Sequence, residues 1–302
     1  PMERYIEIGV VGVDVVGMSL SMIFDASIST IFCTLGAGLA LSMDTKKCTM
    51  LHCTPSMAPI YLNDESNNVQ SLSVGGEACT VGLENSCDHF RNSYGPTECS
   101  IIATAGPSST SIGKPHPNVQ CYIVHREDGR LCPPGVSGEL WIGGIGVSRG
   151  YHNRPELTEE MFVQNPFDLK LKSDVTGKVY KTGDRVRWSD EGELIYLGRF
   201  DHQVKIRGYR IELGEVESAL ELQAGVTGAI ALAHKQKLVA FVLSDKQTDK
   251  KIDEIILKTT LKEKTSLPHY MIPWKIVIMD EFPLTRNGKV DRDILLQNFT
   301  TA

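Results

Sequence analysis

The sequence predicts an α/β protein: a partial large N-terminal α/β subdomain with a small β-barrel-like part, plus a small C-terminal α+β subdomain. Three observations carry this reading. Residues 5 to 53 alternate strand-like apolar runs with one helical run. From about Ile112 to Leu197 the texture changes to short strands punctuated by Gly, Pro and Asp. Then Gly198 to Glu217 passes from a strand period to a helix period across one glycine turn. The boundary is therefore expected there, with residues 1–200 in the large part and 201–302 in the small one. A chain of 302 residues is long enough for both.

The elements follow in order. Residues 5 to 24 read as buried strand material, rich in Val, Ile and Met. Phe24-Asp-Ala-Ser27 breaks that run, and Ile28 to Leu35 suits a helix capped by Asp25 or Ser27. Leu39 to Met43 and Thr49 to Cys53 suit short strands, and Thr54-Pro-Ser56 opens another helix. Leu72 to Val74 reads as a strand ending in the Gly75-Gly76 turn. Gln120 to Val124 and Gly138 to Ile142 form an antiparallel unit, and Val186 to Leu197 a hairpin. Val204 and Ile206 alternate with polar neighbours, and Gly208 permits a tight reversal. Leu213, Val216, Ala219 and Leu220 fall at helical spacing. Strands near Thr227–Ala233 and Leu238–Leu243, a helix within 249–264 and a strand near 275–279 complete the tail.

Composition removes several functions. The net charge of −6 leaves no basic footprint for nucleic acid. Eight cysteines, all in the first half and without a C-x-x-C pair, read as reduced thiols in a cytoplasmic protein. Residues 26 to 43 are uncharged, but serines, threonines and glycines interrupt them, so a buried helix and strand are expected instead of a membrane span.

Four segments carry chemistry. Asn92-Ser-Tyr-Gly-Pro-Thr-Glu98 presents an aromatic ring, a hydroxyl and a carboxylate around a rigid turn. Tyr94 suits a base, Thr97 a phosphate and Glu98 a magnesium ion. Tyr180-Lys-Thr-Gly-Asp184 sets a carboxylate after a glycine turn at a strand end, placed for ribose hydroxyls. Gly138 to Tyr151 is glycine-rich, a weak signal by itself. Pro283 to Arg292 puts Lys289 at the tip of an Asn-Gly turn, where its charge could meet a phosphoryl group.

Together with Phe24-Asp-Ala-Ser27, Gly-Arg-Phe-Asp-His-Gln-Val-Lys-Ile-Arg-Gly and Leu267-Pro-His-Tyr-Met-Ile-Pro273, these blocks resemble an AMP-forming adenylation domain of nonribosomal peptide synthetases. That family also includes acyl-CoA synthetases and luciferases. The resemblance covers nearly the whole chain. It implies activation of a carboxylic acid by ATP with Mg²⁺, then transfer to the phosphopantetheine thiol of a peptidyl carrier protein.

Residue by residue, it implies nucleotide contacts from Asn92, Tyr94, Gly95, Asp184 and Arg199. Thr97, Glu98 and Lys289 become the catalytic groups, with Glu98 the metal ligand. Asp25 would hold the α-ammonium of an amino acid. Ala26, Ser29, His52, Leu72, Val74, Ser93, Ile101 and Ile102 would line a mostly apolar pocket without a second charge, suited to a neutral, small-to-medium side chain. Asp201 falls at the hinge, and Lys205, Arg207 and Gly208 would serve the thiolation state. An aryl, β-amino or other carboxylic acid remains an alternative substrate. Residues 1 to 23 hold no Ser/Thr/Gly-rich phosphate loop, so the chain reads as the second half of such a domain. A truncated, inactive remnant or binding module is the other alternative.

Overall fold

In the computed structural model, which describes residues 15–64, 68–79, 81–167, 177–244, 252–285 and 290–301, two units are distinguished, Pro1–Asp201 and His202–Ala302. The first opens with strand β1 (Val15–Met18), helix α1 (Ala26–Gly36), β2 (Ala40–Ser42) and β3 (Met50–Cys53). Helix α2 (Ala58–Leu62), β4 (Ser71–Gly75), β5 (His89–Tyr94), β6 (Thr104–Gly106) and β7 (Lys114–Pro115) follow. These strands form one sheet in the order β2-β1-β3-β4-β5-β6-β7. It is parallel from β2 to β5 and antiparallel beyond.

Alternation along β3 and β4 sorts their side chains to two faces. Leu51, Cys53, Leu72 and Val74 pack with Ala58 and Leu83 as one core. His52 and Ser73, paired in register, lie on the other face with Met50 and Ser71.

The half-barrel consists of β8 (Val119–Val124), β9 (Gly138–Gly144), α3 (Pro155–Met161), β10 (Phe162–Gln164), β11 (Lys178–Trp188) and β12 (Leu194–Arg199). Its antiparallel order is β10-β11-β9-β8, with β12 also on β11. Ile123, Leu140, Ile142, Phe162, Tyr180 and Leu194 fill its interior.

Strand β11 corrects one expectation. Gly183 does not end a strand; it lies inside a continuous eleven-residue one at φ +73°. The register shifts on both sides, between Lys181 and Arg185 against β9 and between Asp184 and Val186 against β12. Glycine in the left-handed region absorbs such an irregularity and re-aims the next side chain, here Asp184.

The second unit contains the hairpin β13 (Val204–Ile206) and β14 (Tyr209–Ile211), then α4 (Leu213–Glu221), β15 (Val226–His234) and β16 (Lys237–Ser244). Helix α5 (Glu254–Lys264), β17 (Lys275–Met279) and α6 (Arg292–Thr301) complete it. Strand β16 pairs antiparallel with β15 and parallel with β17. All four apolar positions of α4 are buried, against Ala231, Val242, Leu261 and Ile276. The hairpin turns on Arg207 and Gly208, both at positive φ, the two-residue turn that matches strand twist. Among the described residues no helix is long and apolar enough to cross a membrane.

Candidate active site

Strand β5 delivers the first cluster. Past Tyr94 the chain turns through Gly95-Pro96 into a short 3-10 turn, Thr97–Cys99. A side chain on Gly95 would collide with the Ile101 carbonyl oxygen, so only glycine lets the backbone close here. The Thr97 hydroxyl donates to Asp25 Oδ2 at 2.5 Å. Asp25 occupies the cap position of α1 but makes no capping hydrogen bond. That corrects its expected role as a cap: the carboxylate is turned toward the β5 turn instead of the helix amides.

Glu98 is buried, and its Oε1 accepts from the hydroxyls of Tyr151 at 2.7 Å and Tyr180 at 3.0 Å. These two tyrosines fix the carboxylate's direction. The motifs name neither as a site residue, although both stand inside the segments that carry chemistry. Burial, then the hydrogen bonds with Tyr180 and Glu98, push the Tyr151 hydroxyl pKa up, so it remains a donor.

The bulge in β11 positions the second cluster. Asp184 is 3% exposed. Its Oδ2 accepts from the Tyr94 hydroxyl at 2.5 Å and its Oδ1 from Arg199 at 2.7 Å. Arg199 also grips Asp201 with two hydrogen bonds of 2.6 Å each. Burial opposes the Arg199 charge, but the hydrogen bond to Asp201 and the charges of Asp184 and Asp201 outweigh it and raise its pKa. A carboxylate has about four lone-pair sites, so Asp184 keeps capacity for further donors.

Tyr94 is 8% exposed. Asn92 is buried, and its amide donates to the Ser111 carbonyl at 2.7 Å. Through that bond it braces the neighbouring loop. Lys289 lies outside the described residues. Lys205, Arg207 and Gly208 sit on the β13–β14 hairpin of the second unit.

A cavity of about 420 Å³ lies beside the β5 turn. Ser29, His52, Ser93 and Ile102 line it. Leu72 and Val74 do not; strand alternation turns them into the core on the opposite face. Asp25, Ala26 and Ile101 are not among its lining residues either. Ser71, Ser73 and Arg91 take their places on the strands, and Asp88 joins at the exposed edge. Cys33, Met50 and Phe90 keep part of the wall apolar, but the expected absence of a second charge is corrected by Arg91 and Asp88. A count of two residues back along β5 from Ser93, on the same strand face, leads to Arg91.

His52 hydrogen-bonds Thr30 through Nδ1 at 2.9 Å. Burial, then the charge of Arg91, lower its pKa to about 4, so the imidazole is neutral at physiological pH. Ile101 is at φ +77°, and the Ile102 amide donates to the Ser100 carbonyl at 2.9 Å. This is the rarer, strained form of γ-turn, and a β-branched residue at its centre is an outlier.

For Mg²⁺ the donor set fits. One held carboxylate, Glu98, stands at a turn beside a threonine hydroxyl, and magnesium takes one or two carboxylates with substrate phosphates and water. Among the described residues no group of three or more His, Cys, Asp or Glu forms a protein-only metal site.

The fold places the chain in a class: it belongs to the AMP-binding enzyme family, which it matches over residues 3–152, with that family's C-terminal domain at residues 215–289. Within the family it is an adenylation domain of the nonribosomal peptide synthetase type. Tyrocidine synthase 1 of Brevibacillus parabrevis is 38% identical over 327 residues, covering 97% of this chain and 29% of that protein. Tyrocidine synthase 3 of the same organism is 40% identical over 273 residues, covering 83% and 4%. The crystal structure of IdnL1 superposes with a TM-score of 0.78 at 27% identity, covering 93% of this chain and 64% of that one. The chain thus spans less than a third of the length of these two synthases.

Proposed function

We propose that this chain takes part in activating an amino acid with ATP to an aminoacyl-adenylate, and in passing the aminoacyl group to the phosphopantetheine thiol of a carrier protein. The observation that carries this reading is the hydrogen bond between Thr97 and Asp25. It joins the carboxylate suited to an α-ammonium to the turn suited to phosphate and metal. In the first step a substrate carboxylate oxygen attacks the α-phosphorus, and pyrophosphate leaves. In the second the thiol attacks the acyl carbon, and AMP leaves.

Each residue has a distinct task in this reading. Asp25 pairs with the substrate ammonium and so orients the carboxylate. Thr97 donates to a phosphate oxygen once released from Asp25. Glu98, aimed by Tyr151 and Tyr180, would hold Mg²⁺, which neutralises phosphate charge. Asp184 accepts from ribose hydroxyls while Arg199 holds it in place, and adenine lies along Tyr94 and Gly95. Lys289 supplies the cation between two approaching anions.

Pyrophosphate exchange with the full polypeptide carrying this chain, across amino acids and non-amino acids, tests the proposal. Exchange dependent on amino acids is expected. Exchange only with aryl or other non-amino carboxylates would remove the role given to Asp25.

A further inference from the structure

The cavity has a direction. Helix α1 runs antiparallel to the parallel strands it connects, β1 and β2, so its N-terminus sits at their C-terminal ends. Asp25, Ser29 and Cys33 are spaced by four, which sets them on one helix stripe. At about 1.5 Å per residue that stripe descends about 12 Å from Asp25 to Cys33. On the facing strand, Ser93 and Arg91 descend the same way, about 7 Å apart. Ser29, Cys33, Ser93 and Arg91 all line the cavity.

A substrate whose ammonium meets Asp25 therefore sends its side chain down between serines toward Arg91. The walls on that path are small, with Ser29, Ser73, Ser93, Ala105 and Gly106 leaving length and width. Level with Ser73 and His52 on the paired strands, Arg91 is aimed by its contact with His116 at 3.1 Å. Guanidinium is donor-only, so His116 Nε2 is the acceptor there and its ring is neutral. Asp88 stands outside the strand at the exposed edge, about 10 Å of extended chain from Arg91. That level thus presents a cation and a serine hydroxyl to a side chain that reaches it, with Met50, Ser71 and His89 beyond.

From this we infer that the cavity takes a long amino-acid side chain ending in an oxygen acceptor, and that Arg91 selects that end. The inference rests on the proposed amino-acid reading of the site. It sharpens the neutral, small-to-medium side chain expected from the sequence to a longer one with an oxygen tip.

Non-hydrolysable aminoacyl-sulfamoyl adenosines provide the test, with binding to the full polypeptide measured by calorimetry. The pairs are Tyr against Phe and Gln against Met, with Glu added to separate an anionic tip from a neutral one. The oxygen-tipped member of each pair is expected to bind about tenfold to a hundredfold more tightly, the range of a hydrogen bond to a charged group. Arg91→Leu is expected to abolish that ratio, and Arg91→Lys to weaken it. Should Arg91→Leu fail to fold, the lysine variant decides. Equal or reversed binding within the pairs, or a ratio untouched by either variant, overturns the inference while the amino-acid reading stands. Binding by none of the aminoacyl analogues overturns both.

Discussion

Three side chains at the site hold positions whose energetic cost can be measured. The Tyr94 hydroxyl donates to a buried carboxylate, so Tyr94→Phe should lower stability by about 1.5–3 kcal/mol in denaturant titration. A change below about 0.5 kcal/mol would mean that water replaces the hydroxyl. Ile101 is strained at φ +77°, and relief of such strain is worth about 1–3 kcal/mol. Ile101→Gly should therefore leave the melting temperature unchanged or higher, despite the lost side chain. His52 gives a pH signature. Its folded pKa of about 4 lies below the ordinary 6.5, so the unfolded chain binds the extra proton between those values. Its neutral form favours folding above pH 6.5, and that contribution is lost as pH falls toward 4. The acid slope contributes no more than about 3 kcal/mol and should vanish in His52→Gln. An unchanged slope would assign the titration to another group.

At the scale of elements, apolar period is the reliable signal and face is not. The stripe Leu213, Val216, Ala219 and Leu220 specifies α4 because one helix face has one core to meet. Leu220→Ala should accordingly cost about 2–5 kcal/mol, read as faster amide exchange throughout α4 and β15. Strand β4 has two faces to fill: Leu72 and Val74 go to the core, leaving Ser71 and Ser73 to the cavity. Motif distance alone assigns the wrong pair, since a step of one residue exchanges the faces. Strand β11 misleads for a different reason. Its glycine has the composition of a turn, but flanking strands on both sides hold it as a bulge. The motifs mark Asp25, Thr97, Glu98, Asp184 and Arg199 as site residues because each carries its chemistry locally. Tyr151 and Tyr180 are not legible as site residues, because their function is to hold Glu98 across the fold.

For the whole molecule, the division into two units ends the first at Asp201. We propose that the chain pivots there, bringing Lys289 to the nucleotide for adenylation and the β13–β14 hairpin to the thiol for transfer. Asp201 is held by Arg199, which also holds Asp184, so the proposed pivot and the carboxylate proposed for the ribose share one arginine. Lys289→Ala should then depress adenylate formation more than thioester formation from supplied aminoacyl-adenylate; equal loss would contradict its role. Asp201→Pro fixes φ near −65° and removes the carboxylate together, so it needs a partner variant. Asp201→Ala removes the grip of Arg199 and leaves the backbone free. If the pivot operates, Asp201→Pro slows thioester formation by about tenfold or more while adenylation changes little, as for a blocked conformational step. Asp201→Ala should leave the ratio of the two half-reactions near that of the parent. Matching behaviour of both variants would trace the effect to the ion pair, and an unchanged thioesterification rate in Asp201→Pro would remove the pivot from residue 201.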